Sequence, residues 1–289
     1  MKNPINIYKS FLALRENSCY SPGHYYSPIV SVKELRLREQ EVWKVSPEIS
    51  GINLRLEQQR ALLSEFTTYY DECKFPQAQD PNRRYYFDNR FYSYTDGIIL
   101  YCFLRHIRPA RVIEVGSGYS SAVMLDTKDD FDLNCEFTFI EPYPDRLKSL
   151  LKESDYRHTT IIEDNVQNVP LEEFSKLEAG DFLFIDSTHV SKTGSDVNYL
   201  FFDILPNLRP GVFIHIHDVF AGFEYPKEWV YQGRNWNEDY LLRAFLTNNN
   251  KFHIRLFSNH IHTYFPEFFD QLPLTRNNFG GNIWLEKVG

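Results

Sequence analysis

The sequence predicts an α/β fold: a doubly wound, seven-stranded, mostly parallel sheet preceded by a helical N-terminal extension. Three observations predict it. From about residue 94, short β-branched and aromatic runs alternate with segments of helical spacing, which implies crossover connections and a mostly parallel sheet. The stretch 111–121, RVIEVGSGYSS, reads as a buried strand running into a glycine turn and then a helix. Five successive strands end on an acid or just before one, which puts a row of carboxylates on one edge of the sheet.

Composition bounds the function. The chain has 289 residues, 43% of them apolar, enough to bury a full core. A net charge of −8 argues against nucleic acid held on a basic surface. The 24 Phe and 19 Tyr suit a walled pocket, a subunit interface or extra core, and the sequence leaves these open. Cys19, Cys73, Cys102 and Cys135 show no CxxC spacing and read as free buried thiols in a reducing compartment. The residues after Met1 lack a long apolar run, and no segment approaches the roughly 20 apolar residues of a membrane span. The expected setting is cytoplasmic, with no membrane and no nucleic-acid partner.

Residues 1–93 read as a helical extension that packs on the main domain and covers its pocket; residues 94–289 read as that domain. The extension holds a turn-rich stretch (21–28), a charged run (33–44) and a helix over 53–71. In that helix Leu54, Ala61, Leu62, Phe66 and Tyr69 recur at helical spacing. Pro76 and Pro81 keep the next stretch from continuing it. A helix over 95–107 ends before Pro109. Strands are expected at 112–115, 137–140, 159–162, 182–185, 212–216, 252–256 and 283–285. Helices are expected at 120–126, after Pro144, at 171–176, at about 196–205 and at 238–248.

Ligands in such sheets bind outside the carboxyl ends of the strands. Gly116 and Gly118 let the backbone turn sharply and approach a ligand, and Ser120 and Ser121 can cap the next helix. A dinucleotide fold presents helix amides to a pyrophosphate, which Glu114 would repel. The acid suits a ligand carrying an ammonium and a sulfonium. Glu141, after the second strand, stands where a carboxylate accepts both hydroxyls of a ribose. Asp164, after the third, either takes an adenine amine or caps the next turn. Asp186 ends the fourth strand. His215, His217 and Asp218 end the fifth. His215 and His217 alternate onto one face, with His215 the deeper and expected to be a hydrogen-bonded core residue.

Together, Glu114-x-Gly-x-Gly, Glu141, Asp164, Asp186 and His217-Asp218 resemble the ordered motifs of class I S-adenosylmethionine-dependent methyltransferases, over about two thirds of the chain. The segment GGNIWLE (280–286) is similar to that family's antiparallel seventh strand. Asp186-Ser-Thr-His189, a Pro210-Gly211 turn and a strand ending His217-Asp218 resemble the macrocin- and cephalosporin-type small-molecule O-methyltransferases. The resemblance implies a Rossmann-like methyltransferase fold and S-adenosylmethionine held by Glu114, Gly116, Ser117, Gly118, Ser120, Glu141, Asp164 and Asp186. It also implies His189 as general base beside Asp186, and Asp186, Asp218 and a third ligand, His217, on a divalent metal. The relatives use oxygen ligands after the fifth strand. Imidazole suits Mg²⁺ poorly and Mn²⁺, Fe²⁺ or Zn²⁺ better, so the alternatives are a different metal, a non-ligating His217, or no metal.

The loop 220–237 is long and aromatic, as binding loops are. Tyr225, Trp229, Arg234 and Trp236 are its substrate-pocket candidates, with anchoring to the body an equal reading for Trp229 and Trp236. Tyr92, Tyr94 and Asp96 border the expected methionine end of the cofactor. The reading is methyl transfer to a small hydroxylated molecule, with the aromatic N-terminal segment suited to a homodimer. The alternatives are an NAD(P)-dependent oxidoreductase, disfavoured by Glu114, and a non-catalytic binding protein on the same fold.

Overall fold

The computed structural model describes residues 9, 12, 13, 15–44 and 46–289, so the start of the chain lies outside the described residues. Seven strands run as expected to within two residues at either end: β1 (Arg111–Val115), β2 (Glu136–Ile140), β3 (Thr159–Ile162), β4 (Phe182–Ile185), β5 (Phe213–His217), β6 (Phe252–Phe257) and β7 (Asn282–Lys287). They form one sheet in the order β3-β2-β1-β4-β5-β7-β6. β7 is antiparallel to both of its neighbours, and the remaining pairings are parallel.

β1, β4 and β5 are buried on both faces, which explains their near-continuous apolar sequence. Alternate residues feed two cores. Phe182 and Phe184 enter one, with Phe66, Phe103, Phe137 and Trp284. Leu183 and Ile185 enter the other, with Leu200, Ile214, Ile216 and Leu242. Much of the aromatic excess is core packing: the Trp284 ring stacks 3.9 Å from Phe103 and meets Phe182 edge-on at 5.3 Å.

Register places the site. Val115 pairs with Ile185, and Ile185 with Ile216, so these three strands end at one level. Gly116, Asp186 and His217 therefore leave the sheet side by side.

The chain divides into two compact units. Residues 46–224 and 236–289 make one compact unit, and residues 1–45 with 225–235 make a smaller one. The helix Leu56–Tyr70 belongs to the larger unit because Leu62, Leu63 and Phe66 are core residues there. Within the smaller unit, Lys227 Nζ lies 3.1 Å from Glu39, Trp43 Nε1 donates to the Tyr225 carbonyl at 2.9 Å, and Arg36 sits 5.0 Å over the Tyr231 ring.

Three further differences have local causes. The helix expected over 196–205 is broken by a π-turn at Leu200–Ile204, next to Pro206, which lacks an amide to continue the ladder. The helix Ser258–Tyr264 is short and carries no clear apolar period, so periodicity misses it. Cys19 is exposed and Cys73 half-buried; of the four free thiols, Cys102 and Cys135 are the buried ones. Among the described residues, no helix is long and apolar enough to cross a membrane.

Arg84 ties the segment before the domain's first helix to the sheet's helical layer. Its guanidinium lies 2.7 Å from Asp126, 2.8 Å from Asp129 and 2.5 Å from Asp155, with only 1% of the side chain exposed. Removing it leaves buried carboxylates uncompensated. Arg84→Ala should cost about 3–5 kcal/mol of stability by urea unfolding; a loss below about 1 kcal/mol, the range of a surface pair, would show that the network is not buried as described.

Candidate active site

The turn after β1 is held from two sides. Gly116 N donates to the Ile140 carbonyl at 3.0 Å, and Asp186 N donates to the Val115 carbonyl at 2.8 Å. Gly116 has φ 81°, and a Cβ there would collide with the Asp186 carbonyl oxygen. Position 116 therefore requires glycine for both conformation and space.

Glu114 does not face an open cleft. Its carboxylate is fully buried and accepts hydrogen bonds from the hydroxyls of Ser120, at 2.5 Å, and Ser121. Ser121 Oγ also accepts from Gly118 N at 3.0 Å. Burial raises Glu114 to about 8 against the pull of these hydroxyls. The acid thus fixes the turn onto the helix Tyr119–Phe131, and the expectation that it meets the ligand's charge directly is corrected on that ground.

Glu141 stands half-buried beside the turn. Its Oε2 accepts from Ser117 N at 3.1 Å and its Oε1 from Tyr143 N at 2.9 Å. Asp164 is exposed, and its Oδ1 accepts from Asn165 N and Asn168 Nδ2, both at 2.7 Å, so it serves the turn that follows β3.

The ends of β4 and β5 bring charged groups together. His189 Nε2 lies 3.5 Å from Asp186 Oδ1 and 3.5 Å from Asp218 Oδ2. His217 Nδ1 lies 3.4 Å from Asp186 Oδ1 and 3.8 Å from Asp218 Oδ1, and His217 Nε2 lies 3.8 Å from Asp96 Oδ2. His189 Nδ1 meets Glu238 Oε2 at 2.9 Å. Asp96 is fixed by Asn282 Nδ2 at 2.6 Å and Gly281 N at 3.2 Å. His189 and Asp218 both hold left-handed backbone, with φ 61° and 56°, a strain that clusters at functional sites.

This geometry sets the electrostatics. Burial opposes the charge on His189, but Asp186 and Glu238 outweigh it and bring the imidazole up to about 10. Burial likewise opposes charge on His217, and Asp218 and Asp186 raise it well above the usual imidazole range. Burial works against ionisation of Asp186, while His217 and His189 hold it below the usual carboxylate range. Asp218 is pushed up, mainly by burial.

His215 is deeper, as expected, but it is not hydrogen-bonded: neither ring nitrogen has a partner among the described residues. It stacks on Phe184 at 3.9 Å and meets Trp284 at 4.8 Å, and burial drives its pKa well down. His260 and His262 are buried elsewhere, His262 stacked 3.6 Å from Phe269. Trp236 sits at the cluster, its ring 4.5 Å from His189. Tyr225, Trp229 and Arg234 belong to the smaller unit, where the Arg234 guanidinium lies 4.1 Å over Trp229. Glu238 escaped the sequence reading, because nothing local links a helix-starting acid to a histidine 49 positions earlier.

A family model described as a methyltransferase domain matches residues 113–219, from β1 to just past the end of β5. The chain carries a methyltransferase domain, and its enzyme class is that of the S-adenosylmethionine-dependent methyltransferases. This methyltransferase is 36% identical over 165 residues to a protein of unassigned function from Archaeoglobus fulgidus, covering 55% of this chain and 74% of that protein. Among solved structures it is similar to an S-adenosylhomocysteine-bound methyltransferase from Podospora anserina, with 16% identity, TM-score 0.43 and coverage of 79% of this chain and 88% of that one. It is also similar to an O-methyltransferase of tomaymycin synthesis from Streptomyces achromogenes bound to S-adenosylmethionine, with 13% identity, TM-score 0.45 and coverage of 89% and 96%.

The methyltransferase's residues fit the cofactor. Glu141 borders a turn whose first glycine has no room for a side chain, and the buried Tyr92 hydroxyl, its ring 5.1 Å from His217, has no hydrogen-bond partner among the described residues. A metal fits less well: among the described residues, no group of three His, Cys, Asp or Glu side chains is gathered to hold one.

S-adenosylhomocysteine should raise the melting temperature by mass action, a stabilisation of about 2.7 kcal/mol at one hundred times Kd; no shift at saturation would contradict the assignment. Glu141→Ala should weaken that binding about 10- to 100-fold in calorimetry, as loss of charge-assisted hydrogen bonds does, and more than Asp186→Ala; the reverse order would move the ribose away from Glu141.

Proposed function

We propose that this methyltransferase carries the methyl group to a hydroxyl of a small molecule, with His189 as general base and Asp186 beside it. The observation that carries the reading is the placement of His189. Its Nδ1 meets Glu238, and its Nε2 is turned toward the level where β1, β4 and β5 end. S-adenosylmethionine supplies, when bound, a methyl on a positively charged sulfur that leaves as a neutral thioether. His189 Nε2 takes the hydroxyl proton as the acceptor oxygen bonds to that methyl. Asp186 and Asp218 stabilise the imidazolium that results, and positioning in line supplies much of the rate. Glu141 holds the ribose, the turn 116–118 with Ser120 holds the cofactor's amino-acid side, and Asp164 stands at the adenine end. Trp236 walls the acceptor side of His189. Tyr225, Trp229 and Arg234 are acceptor-loop residues of the smaller unit, and a homodimer is the assembly proposed for its aromatic segment.

His189 sets the sign of the pH dependence. A protonated imidazole cannot accept a proton, and its neighbours hold it protonated up to about 10 in the cofactor-free protein. A cationic sulfonium alongside opposes that charge. The rate constant kcat/KM should therefore rise with pH beyond the ordinary imidazole range, and a plateau reached near pH 6 would contradict His189 as the base. With labelled S-adenosylmethionine and a panel of phenols, catechols and sugar-linked alcohols, His189→Gln should lower kcat about 10²- to 10⁴-fold. Label that accumulates on amine or carbon acceptors instead would overturn the hydroxyl assignment.

A metal-assisted variant is the second reading. Its donors would be Asp186, Asp218 and His217, which face one another at 3.4 and 3.8 Å and would have to open around an ion, the imidazole being buried with neither ring nitrogen in a hydrogen bond among the described residues. A divalent ion held there would acidify a bound hydroxyl. Chelator should then abolish transfer; unchanged turnover in chelator removes the metal.

A further inference from the structure

Glu238 opens the helix Glu238–Leu246, which comes after the long aromatic loop, and it reaches back to the segment after β4. Its side chain is 1% exposed. Oε2 sits 2.9 Å from His189 Nδ1, and Ser187 Oγ lies 3.2 Å from Oε1 and 3.4 Å from Oε2. The contact is reciprocal. The amides of Asn237 and Glu238 donate to the His189 carbonyl at 3.0 and 3.2 Å, so the strained residue caps the very helix that carries the acid. Trp236, two residues earlier, lies against the imidazole at 4.5 Å. Backbone carbonyl, Nδ1 and ring face of His189 are thus all held by residues 236–238.

We propose that Glu238 is a positioning residue: it keeps the proton on His189 Nδ1 and the ring in one rotamer, so that Nε2 is the nitrogen presented to the acceptor. This rests on the reading of His189 as the base. A carboxylate accepts only, and Glu238 at 2.9 Å holds Nδ1 more closely than Asp186 and Asp218 hold Nε2 at 3.5 Å, so Nδ1 is the nitrogen that keeps its proton when the imidazolium gives one up. A free imidazole divides its proton between two tautomers and its ring between rotamers, and either error removes the base from the acceptor.

The test uses the full chain with nitrogen-15-labelled histidine. Wild type should show one slowly exchanging imidazole proton far downfield, assigned by its loss in His189→Gln. It should vanish in Glu238→Ala and move upfield but persist in Glu238→Gln, whose amide oxygen still accepts. The melting shift given by S-adenosylhomocysteine should stay within about 2-fold of wild type in Kd for the Gln variant, while kcat with the best acceptor of the panel falls about 10- to 100-fold and KM for S-adenosylmethionine holds. A downfield proton that is absent from wild type, or that survives in both Glu238 variants, overturns the positioning role even if His189 is the base. A normal proton pattern with kcat indifferent to His189→Gln overturns the base instead. If Glu238→Ala fails to fold, the Gln variant carries the test.

Discussion

Two buried histidines hold four carboxylates together at the carboxyl edge of the sheet. His189 and His217 stand among Asp96, Asp186, Asp218 and Glu238, and neither set could be buried without the other. The rest of the architecture serves this constraint. β4 and β5 end at one level and deliver Asp186, His217 and Asp218 to one place; Asn282 and Gly281 at β7 fix Asp96; the helix after the aromatic loop fixes Glu238.

The cofactor half meets the same edge through Gly116. Its turn passes so close to the Asp186 carbonyl that no Cβ fits, so the cofactor turn and the charged cluster share a wall. Glu114 contributes from behind, anchoring the turn through Ser120 and Ser121. The turn is therefore held both from the sheet and from the helix that follows it.

The strand-and-turn frame was legible because each central strand is buried on both faces and reads as an apolar run, bounded by glycines and acids. Strand ends name the residues at one sheet edge, which is why Glu141, Asp186, His189, His217 and Asp218 could be singled out from sequence. What each side chain touches was not legible. Glu114 turned inward because a helix N-terminus offered it two hydroxyls, and His215 took a stacked place between aromatics in place of a hydrogen bond. Glu238 escaped notice because its partner is distant in the chain. That the helix Leu56–Tyr70 buries its apolar stripe in the main core is a tertiary fact that spacing alone does not carry.

In the proposed mechanism the charged cluster faces the reacting methyl. A crystal structure of the protein with S-adenosylhomocysteine tests it most directly. Ribose hydroxyls are expected on Glu141 and the sulfur turned toward Asp186 and His189 Nε2, with space for an acceptor hydroxyl between them. A sulfur turned away from His189, or a closed wall of packed side chains between the two, would contradict it.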